Sequence, residues 1–311
     1  MPELLDPLGR FVLGTAQLGN LGRELSDEAA RALVDRAWSL GVRRFDTAPH
    51  YGLGLSERRL GAALRDRPRD EYEVSTKVGR LLVPQIPTGS DDEGFLVPDA
   101  FRREWDPSAE GIRRSLKESL ERTGLERIDT LYLHDPDRYG LRGLDTALDA
   151  LAQLRAEGLV GRVGVGSTSV DALLAGTAAG VVDELMIAGR YTLLEQPAAL
   201  ELLPRCQVAG MDVIVAGVFN SGLLATPVPS DGDRYEYAPA PRELLERARA
   251  LAGICADHGV ELPSAALQFP LRHAAVTAVA VGADSADQLE QSLRRFTVPL
   301  PEELWAVLAS G

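Results

Sequence analysis

Short apolar runs alternate along the chain with longer stretches whose apolar residues recur at helical spacing. The runs are Phe11 to Gly14, Val42 to Phe45, Tyr72 to Thr76, Ile128 to Leu133, Val160 to Val165, Glu184 to Ile187, Met211 to Ala216 and Val276 to Val281. Each has the length and apolar character of a buried strand. Between them, Ser26 to Leu40 places Ala30, Leu33, Val34 and Ala37 on one face, and Leu60, Ala63 and Leu64 do the same after Gly54. Ser56 is expected to cap that second helix and Pro107-Ser108 to open a third through Ile112, Leu116 and Leu120. Further helices are expected over Leu144 to Arg155, after Thr168, and over Leu200 to Val208, Arg242 to Asp257 and Ser285 to Leu293. A short helical run near Ala265 to Leu271 and a small helix after Pro301 complete the series. Eight strand-then-helix units are the number that closes a (β/α)8 TIM barrel, with its active site at the C-terminal face of the strands.

Composition narrows this picture. At 311 residues, 45% hydrophobic and 25% charged, with no compositional break, the chain is expected to be one domain over residues 1–311. Residues 79–107 and 224–241, poor in regular pattern, are expected to be loops of that domain. A formal charge of −13 argues against nucleic-acid or anionic-membrane partners, which require a basic face. Met1 to Leu8 lacks the basic and apolar regions of a signal peptide, and no apolar run is long enough to span a bilayer. Cys206 and Cys255 are too few for a disulfide framework, so a cytoplasmic location is expected. The histidines, His258 and His273 among them, lack the spacing of a metal site, and no metal is expected.

Three successive strands end in polar groups: Asp46, Lys77 and His134. Tyr51 stands in the loop after the first, where Gly52 and Gly54 let the backbone turn. Taken singly, an aspartate at a strand end is often a turn former and a loop tyrosine is often packing. In a parallel sheet, however, all four would meet at one rim.

The segments FDTAPHYGLGLSERRLG, STKVG and LYLHDPD resemble the aldo-keto reductase family. The resemblance implies that Asp46, Tyr51, Lys77 and His134 form a catalytic tetrad: Tyr51 exchanges a proton with substrate, Lys77 lowers the phenol's pKa, Asp46 aims Lys77, and His134 orients the substrate oxygen. It implies a nicotinamide cofactor, since no side chain supplies hydride. Its carboxamide is expected near Ser167 and Thr168, where this chain has Ser-Thr instead of the common Ser-Asn, and Ala188 stands where a glutamine is frequent. Phe219, Asn220, Ser221 and Gly222 form a turn suited to pyrophosphate. Gly282, Ala283, Asp284 and Ser285 open a helix suited to phosphate, with Gln288 behind them. An aspartate at position 284 repels a 2′-phosphate yet accepts from a 2′-hydroxyl, so NAD is expected to be preferred, with NADP possible. His50 is expected either to touch a substrate hydroxyl or to pack the loop. Trp105, with Phe95 and Phe101, either lines a substrate pocket or anchors a lid.

PHYG, KVGRLL, LYLHDPD, AGRYTLLEQ and VFNSGLL resemble the branch that holds D-threo-aldose (L-fucose) 1-dehydrogenases and pyridoxal 4-dehydrogenases. That implies a small sugar or aldehyde substrate, an aldose being oxidised at its anomeric carbon to a lactone. A general carbonyl reductase and a nonenzymatic cofactor-binding subunit are the rival readings. Oligomeric state is left open.

Overall fold

The computed structural model describes residues 7–236 and 238–309; residues 1–6, on which most of the expected absence of a signal peptide rests, lie outside them. Eight parallel strands close into a barrel: β1 (Phe11–Gly14), β2 (Arg44–Asp46), β3 (Glu73–Val78), β4 (Ile128–His134), β5 (Val160–Ser167), β6 (Glu184–Ala188), β7 (Asp212–Ala216) and β8 (Val276–Gly282). Each pairs with its neighbours in chain order, and β1 closes on β8 with Phe11 opposite Val279 and Gly14 opposite Gly282. The strands are apolar on both faces because both are covered. Leu131, Leu133, Val163, Val165, Val213 and Val215 belong to the large outer core shared with the helices, while Val12, Tyr132, Met186, Ile214, Ala278 and Ala280 form a separate cluster. A Cβ on Gly164 would lie 2.1 Å from the Glu184 carbonyl oxygen and 2.7 Å from the Tyr132 ring, so only glycine leaves Tyr132 its space.

Serines begin four of the outer helices as expected from capping chemistry. Ser26, Ser108, Ser169 and Ser285 accept from the backbone N–H of Ala29, Gly111, Ala172 and Gln288 at 3.0 to 3.3 Å. Ser56 does not. Helix Leu55–Leu64 is preceded by Gly54 in the left-handed conformation (φ 81°), and Ser56 is buried inside the first turn, where its hydroxyl donates to the Thr15 carbonyl at 2.7 Å. The helix is thus tied to the loop after β1 instead of being capped by its own side chain.

The stretch 79–107 is not structureless. Arg80–Pro84 and Phe101–Trp105 pair antiparallel, with Arg80 opposite Trp105, and form a hairpin outside the barrel sheet. A smaller pair, Arg234–Tyr235 with Ala238–Pro239, interrupts 224–241. The first hairpin follows β3 directly, and the second lies in the segment between β7 and helix Arg242–Asp257.

Candidate active site

β2 ends on Asp46, β3 carries Lys77 one residue before its end at Val78, and β4 ends on His134, so the barrel brings the three together at one rim. The Lys77 ammonium donates to Asp46 Oδ2 at 2.6 Å, to the Thr47 carbonyl at 3.0 Å and to Tyr51 Oη at 3.1 Å. Three acceptors use all three of its protons, which fixes its direction. Asp46 Oδ1 accepts from Ser75 Oγ at 2.7 Å, so the carboxylate is held at both oxygens. Burial works against the Lys77 charge, but Asp46 and Tyr51 overcome it, and the ammonium titrates above its usual range. Tyr51 accepts from Lys77; among the described residues no acceptor takes its own proton.

Tyr51 departs from expectation in one respect. Burial raises its pKa, Lys77 pulls it back and Asp46 raises it again, with a net position above the ordinary phenol. The ammonium acts in the expected sense, yet desolvation is the larger effect and the carboxylate behind the lysine cancels part of its pull.

The Tyr51 loop is placed by backbone contact. A Cβ on Gly52 (φ 61°) would sit 2.3 Å from the Gly19 carbonyl oxygen, and one on Gly19 would sit 2.6 Å from the Tyr51 carbonyl carbon. Two bare backbones therefore touch, and Tyr51, immediately before Gly52, is part of that contact.

His134 stands edge-on to Tyr51, with ring centroids 6.1 Å apart, and burial followed by Arg80 and Lys77 holds it neutral, well below the usual histidine range. His50 packs against it at 5.5 Å and against Phe95 at 5.3 Å. Arg103 Nε donates to His50 Nδ1 at 2.6 Å, with Arg80 Nη1 3.4 Å away. Guanidinium nitrogens only donate, so Nδ1 is bare and the imidazole proton sits on Nε2. Burial, then Arg80 and Arg103, push its pKa down to about 2. Every cation here has its own carboxylate: Lys77 has Asp46, Arg80 has Asp135 at 2.5 Å, and Arg103 has Asp91 at 2.5 and 3.1 Å.

The tetrad faces a cleft of about 240 Å³, lined also by Gln17, Leu21, Asp135, Ser167 and Met186. It shares Gln17, Leu21, Ala188, Gly217, Ala280 and Gly282 with a larger cleft of about 600 Å³. Thr168, Phe219, Asn220, Ser221, Gly222, Gly282, Asp284 and Gln288 line the larger cleft. Ala283 is buried, and Ser285 caps helix Ala286–Thr297. Ser167 Oγ donates to Asp137 Oδ1 at 2.5 Å and accepts from Ser169 N at 2.9 Å. Trp105 stacks on Tyr139 at 4.4 Å and donates to the Arg142 carbonyl at 3.0 Å, which places it at the hairpin base and outside the lining of either cleft.

The joined clefts suit an elongated dinucleotide. Asn220, Ser221 and Gly222 take successive left-handed conformations (φ 47°, 59° and 105°), which curls the turn tightly. The N–H groups of Asn220 and Gly222 donate within that turn, to Gly217 and Phe219 at 3.0 Å each, so of the expected pyrophosphate donors these two are already engaged. Ser285 opens the nearby helix, although the Asp284 N–H is closed by Gln288 Oε1 at 2.7 Å. Gln17 Oε1 is buried with no hydrogen-bond partner among the described residues, at the junction of the two clefts, an orphan acceptor that a bound ribose or amide donor would satisfy.

A family model described as "Aldo/keto reductase family" matches residues 10–310. The chain belongs to the aldo/keto reductase family. It is 52% identical over 303 residues to a D-threo-aldose 1-dehydrogenase of Pseudomonas sp, covering 96% of this chain and 92% of that one. A pyridoxal 4-dehydrogenase of Microbacterium luteolum is 38% identical, with the same coverage of 96% and 92%. Among solved structures, an aldo-keto reductase from Bacillus halodurans in its holo form superposes with a TM-score of 0.77 at 26% identity, over 97% of this chain and 91% of that one. As an aldo/keto reductase the protein is an NAD(P)-dependent oxidoreductase. Among the described residues, no helix is long and apolar enough to cross a membrane.

Sequence reasoning missed Gln17, Arg80, Asp91, Arg103 and Asp135. Two of these had a local signal: Arg80 follows Lys77 by three positions in KVGRLL, and Asp135 follows His134 in LYLHDPD. A charge beside a strand end is a candidate for the rim that the strand end faces.

Proposed function

We propose that this aldo/keto reductase is a cytoplasmic single-domain enzyme that oxidises an aldose at C1, converting a cyclic hemiacetal into its lactone, with NAD preferred over NADP. The observation that carries the reading is the phenol of Tyr51, held by Lys77 at 3.1 Å with its own proton left toward the cleft. A bound nicotinamide would supply the hydride acceptor, which no side chain can replace. In the oxidising direction Tyr51 takes the proton of the anomeric hydroxyl as its phenolate. Lys77 stabilises that phenolate, and Asp46 with Thr47 keeps the ammonium in place. His134, kept neutral, offers a ring N–H to the same oxygen without bringing a competing charge.

The aldose reading draws support from the 52% identity to a D-threo-aldose 1-dehydrogenase. Oxidation of pyridoxal is the second reading, supported by the relative at 38% identity. NAD preference draws on Asp284 at the rim of the larger cleft, where a carboxylate accepts from a 2′-hydroxyl and repels a phosphate. Arg23 pairs with Asp284 at 3.3 Å and softens this repulsion, so the preference is expected to be a matter of degree.

A screen of aldoses and pyridoxal with NAD and NADP, followed by the absorbance of reduced nicotinamide, tests substrate and cofactor together. Tyr51→Phe should lose roughly a hundred- to ten-thousandfold in turnover while still quenching its fluorescence on cofactor binding. Near-normal turnover in Tyr51→Phe would remove the proton-transfer assignment. Turnover of pyridoxal with no aldose active would replace the substrate reading.

A further inference from the structure

We propose that Asp135, held in place by Arg80, reads the hydroxyl on the carbon beside the reacting one, so that the site selects 2-hydroxylated sugars over their 2-deoxy analogues. This rests on the aldose reading above and adds a specificity residue to it.

Asp135 follows His134 at the end of β4 in a left-handed conformation (φ 43°) that residues with a Cβ rarely adopt. Its backbone N–H donates to the Gly166 carbonyl at 2.8 Å, which holds the turn against β5. Asp135 lines the cleft together with Tyr51, Lys77 and His134. Oδ2 accepts from Arg80 Nη2 at 2.5 Å and lies 3.6 Å from His134 Nε2, beyond hydrogen-bond reach. Among the described residues no donor engages Oδ1. The side chain is 19% exposed, whereas its partner Arg80 is 2% exposed. A buried guanidinium therefore anchors one carboxylate oxygen and leaves the other with open lone pairs on a residue that lines the cleft.

Such a half-engaged carboxylate is costly to bury unless something uses it. A carboxylate accepts but does not donate, so its complement is a hydroxyl or amine on the substrate. Asp135 Oδ2 lies 3.6 Å from His134 Nε2, the nitrogen that would hold the reacting oxygen, so the carboxylate is within reach of a group on the neighbouring carbon. In a sugar ring the group at that position is the C2 hydroxyl. A simple aldehyde has nothing to offer there, and Asp135 then stays unsatisfied.

The test compares an aldose with its 2-deoxy analogue, for instance L-fucose and 2-deoxy-L-fucose, on the native enzyme and on Asp135→Asn. A hydrogen bond to a charged group corresponds to roughly ten- to hundredfold in kcat/KM, so native enzyme should favour the hydroxylated sugar by about that factor. In Asp135→Asn, whose amide can still bond a hydroxyl but carries no charge, the ratio should fall several-fold, mostly through a higher KM for the hydroxylated sugar, as expected for weakened uniform binding. A merely structural role would slow both sugars equally and leave the ratio unchanged. If Asp135→Asn folds poorly, the native enzyme's ratio still decides, since indifference to the 2-deoxy sugar overturns the proposal. Aldose oxidation with an unchanged ratio would overturn this inference alone. No oxidation of any aldose would overturn the functional reading and this inference together.

Discussion

At the scale of single residues, the balance at Tyr51 is the chemically consequential one. Its phenol titrates above the ordinary range because burial outweighs Lys77, so near neutrality it carries its proton. In the proposed mechanism oxidation needs the phenolate, so kcat/KM for the proposed aldose substrate should rise steadily from about pH 7 to about pH 10, while carbonyl reduction, which would need the phenol, should stay level over that range. Lys77→Met removes the ammonium that pulls the pKa down, and should move the rise in oxidation to still higher pH and lower its height. An oxidation profile already flat by about pH 8 would mean that the phenol ionises earlier than its burial dictates. The residues that set this balance differ in how readily the chain disclosed them. Asp46, Lys77 and His134 were legible because each stands at or next to a strand end, and strand ends share one rim in a parallel barrel. The net direction of the Tyr51 shift was not, because burial of a phenol depends on Phe95, His50 and His134, which reach it from different loops and strands.

At the scale of elements, the helix Ala286–Thr297 and the segment before it control the far end of the larger cleft. Asp284 lies outside the Ser285 cap, its N–H bound by Gln288 and its carboxylate facing Arg23. Asp284→Arg reverses the local charge and releases Arg23, so the ratio of kcat/KM with NADP to that with NAD should rise by roughly tenfold or more. An unchanged ratio, measured with one sugar at saturation, would place cofactor choice elsewhere. Elements were read well where one apolar stripe decided them, as in helix Arg242–Asp257, whose bounds match the spacing. Ser56 misled because residue type alone does not say whether a serine stands before a helix or within its first turn; Gly54, with its positive φ, makes the entry instead. The hairpin was missed because its strands are separated by a polar, proline- and glycine-containing stretch, and Phe101–Trp105 alternates by exposure across a single layer without the continuous apolar run of a barrel strand.

At the scale of the whole molecule, closure was legible because the number of units has few other solutions, whereas ion pairs such as Arg80 with Asp135, 55 positions apart, exist only once the barrel is closed. The charge of −13 is also a property of the entire surface and acts at a distance on anionic cofactors. NADP carries one phosphate more than NAD and should be repelled more. Raising NaCl from about 0.01 M to about 0.3 M shortens the screening length several-fold, and should lower KM for NADP by a larger factor than KM for NAD. Equal responses would show that Arg23 and Arg190, which border the larger cleft or pair across it, already compensate locally.

The contact between Gly19 and Gly52 bears on where this scaffold can be redesigned. Neither position has space for even a methyl group; Gly52 is next to Tyr51 in the chain, and Gly19 lies against the Tyr51 backbone. A mutant library in search of new sugars would do best to freeze both glycines and Phe95, which packs on Tyr51, and to diversify Met186 and Leu21, which line the cleft. Changes there can reshape the cleft wall while Asp46, Lys77 and Tyr51 keep their hydrogen bonds.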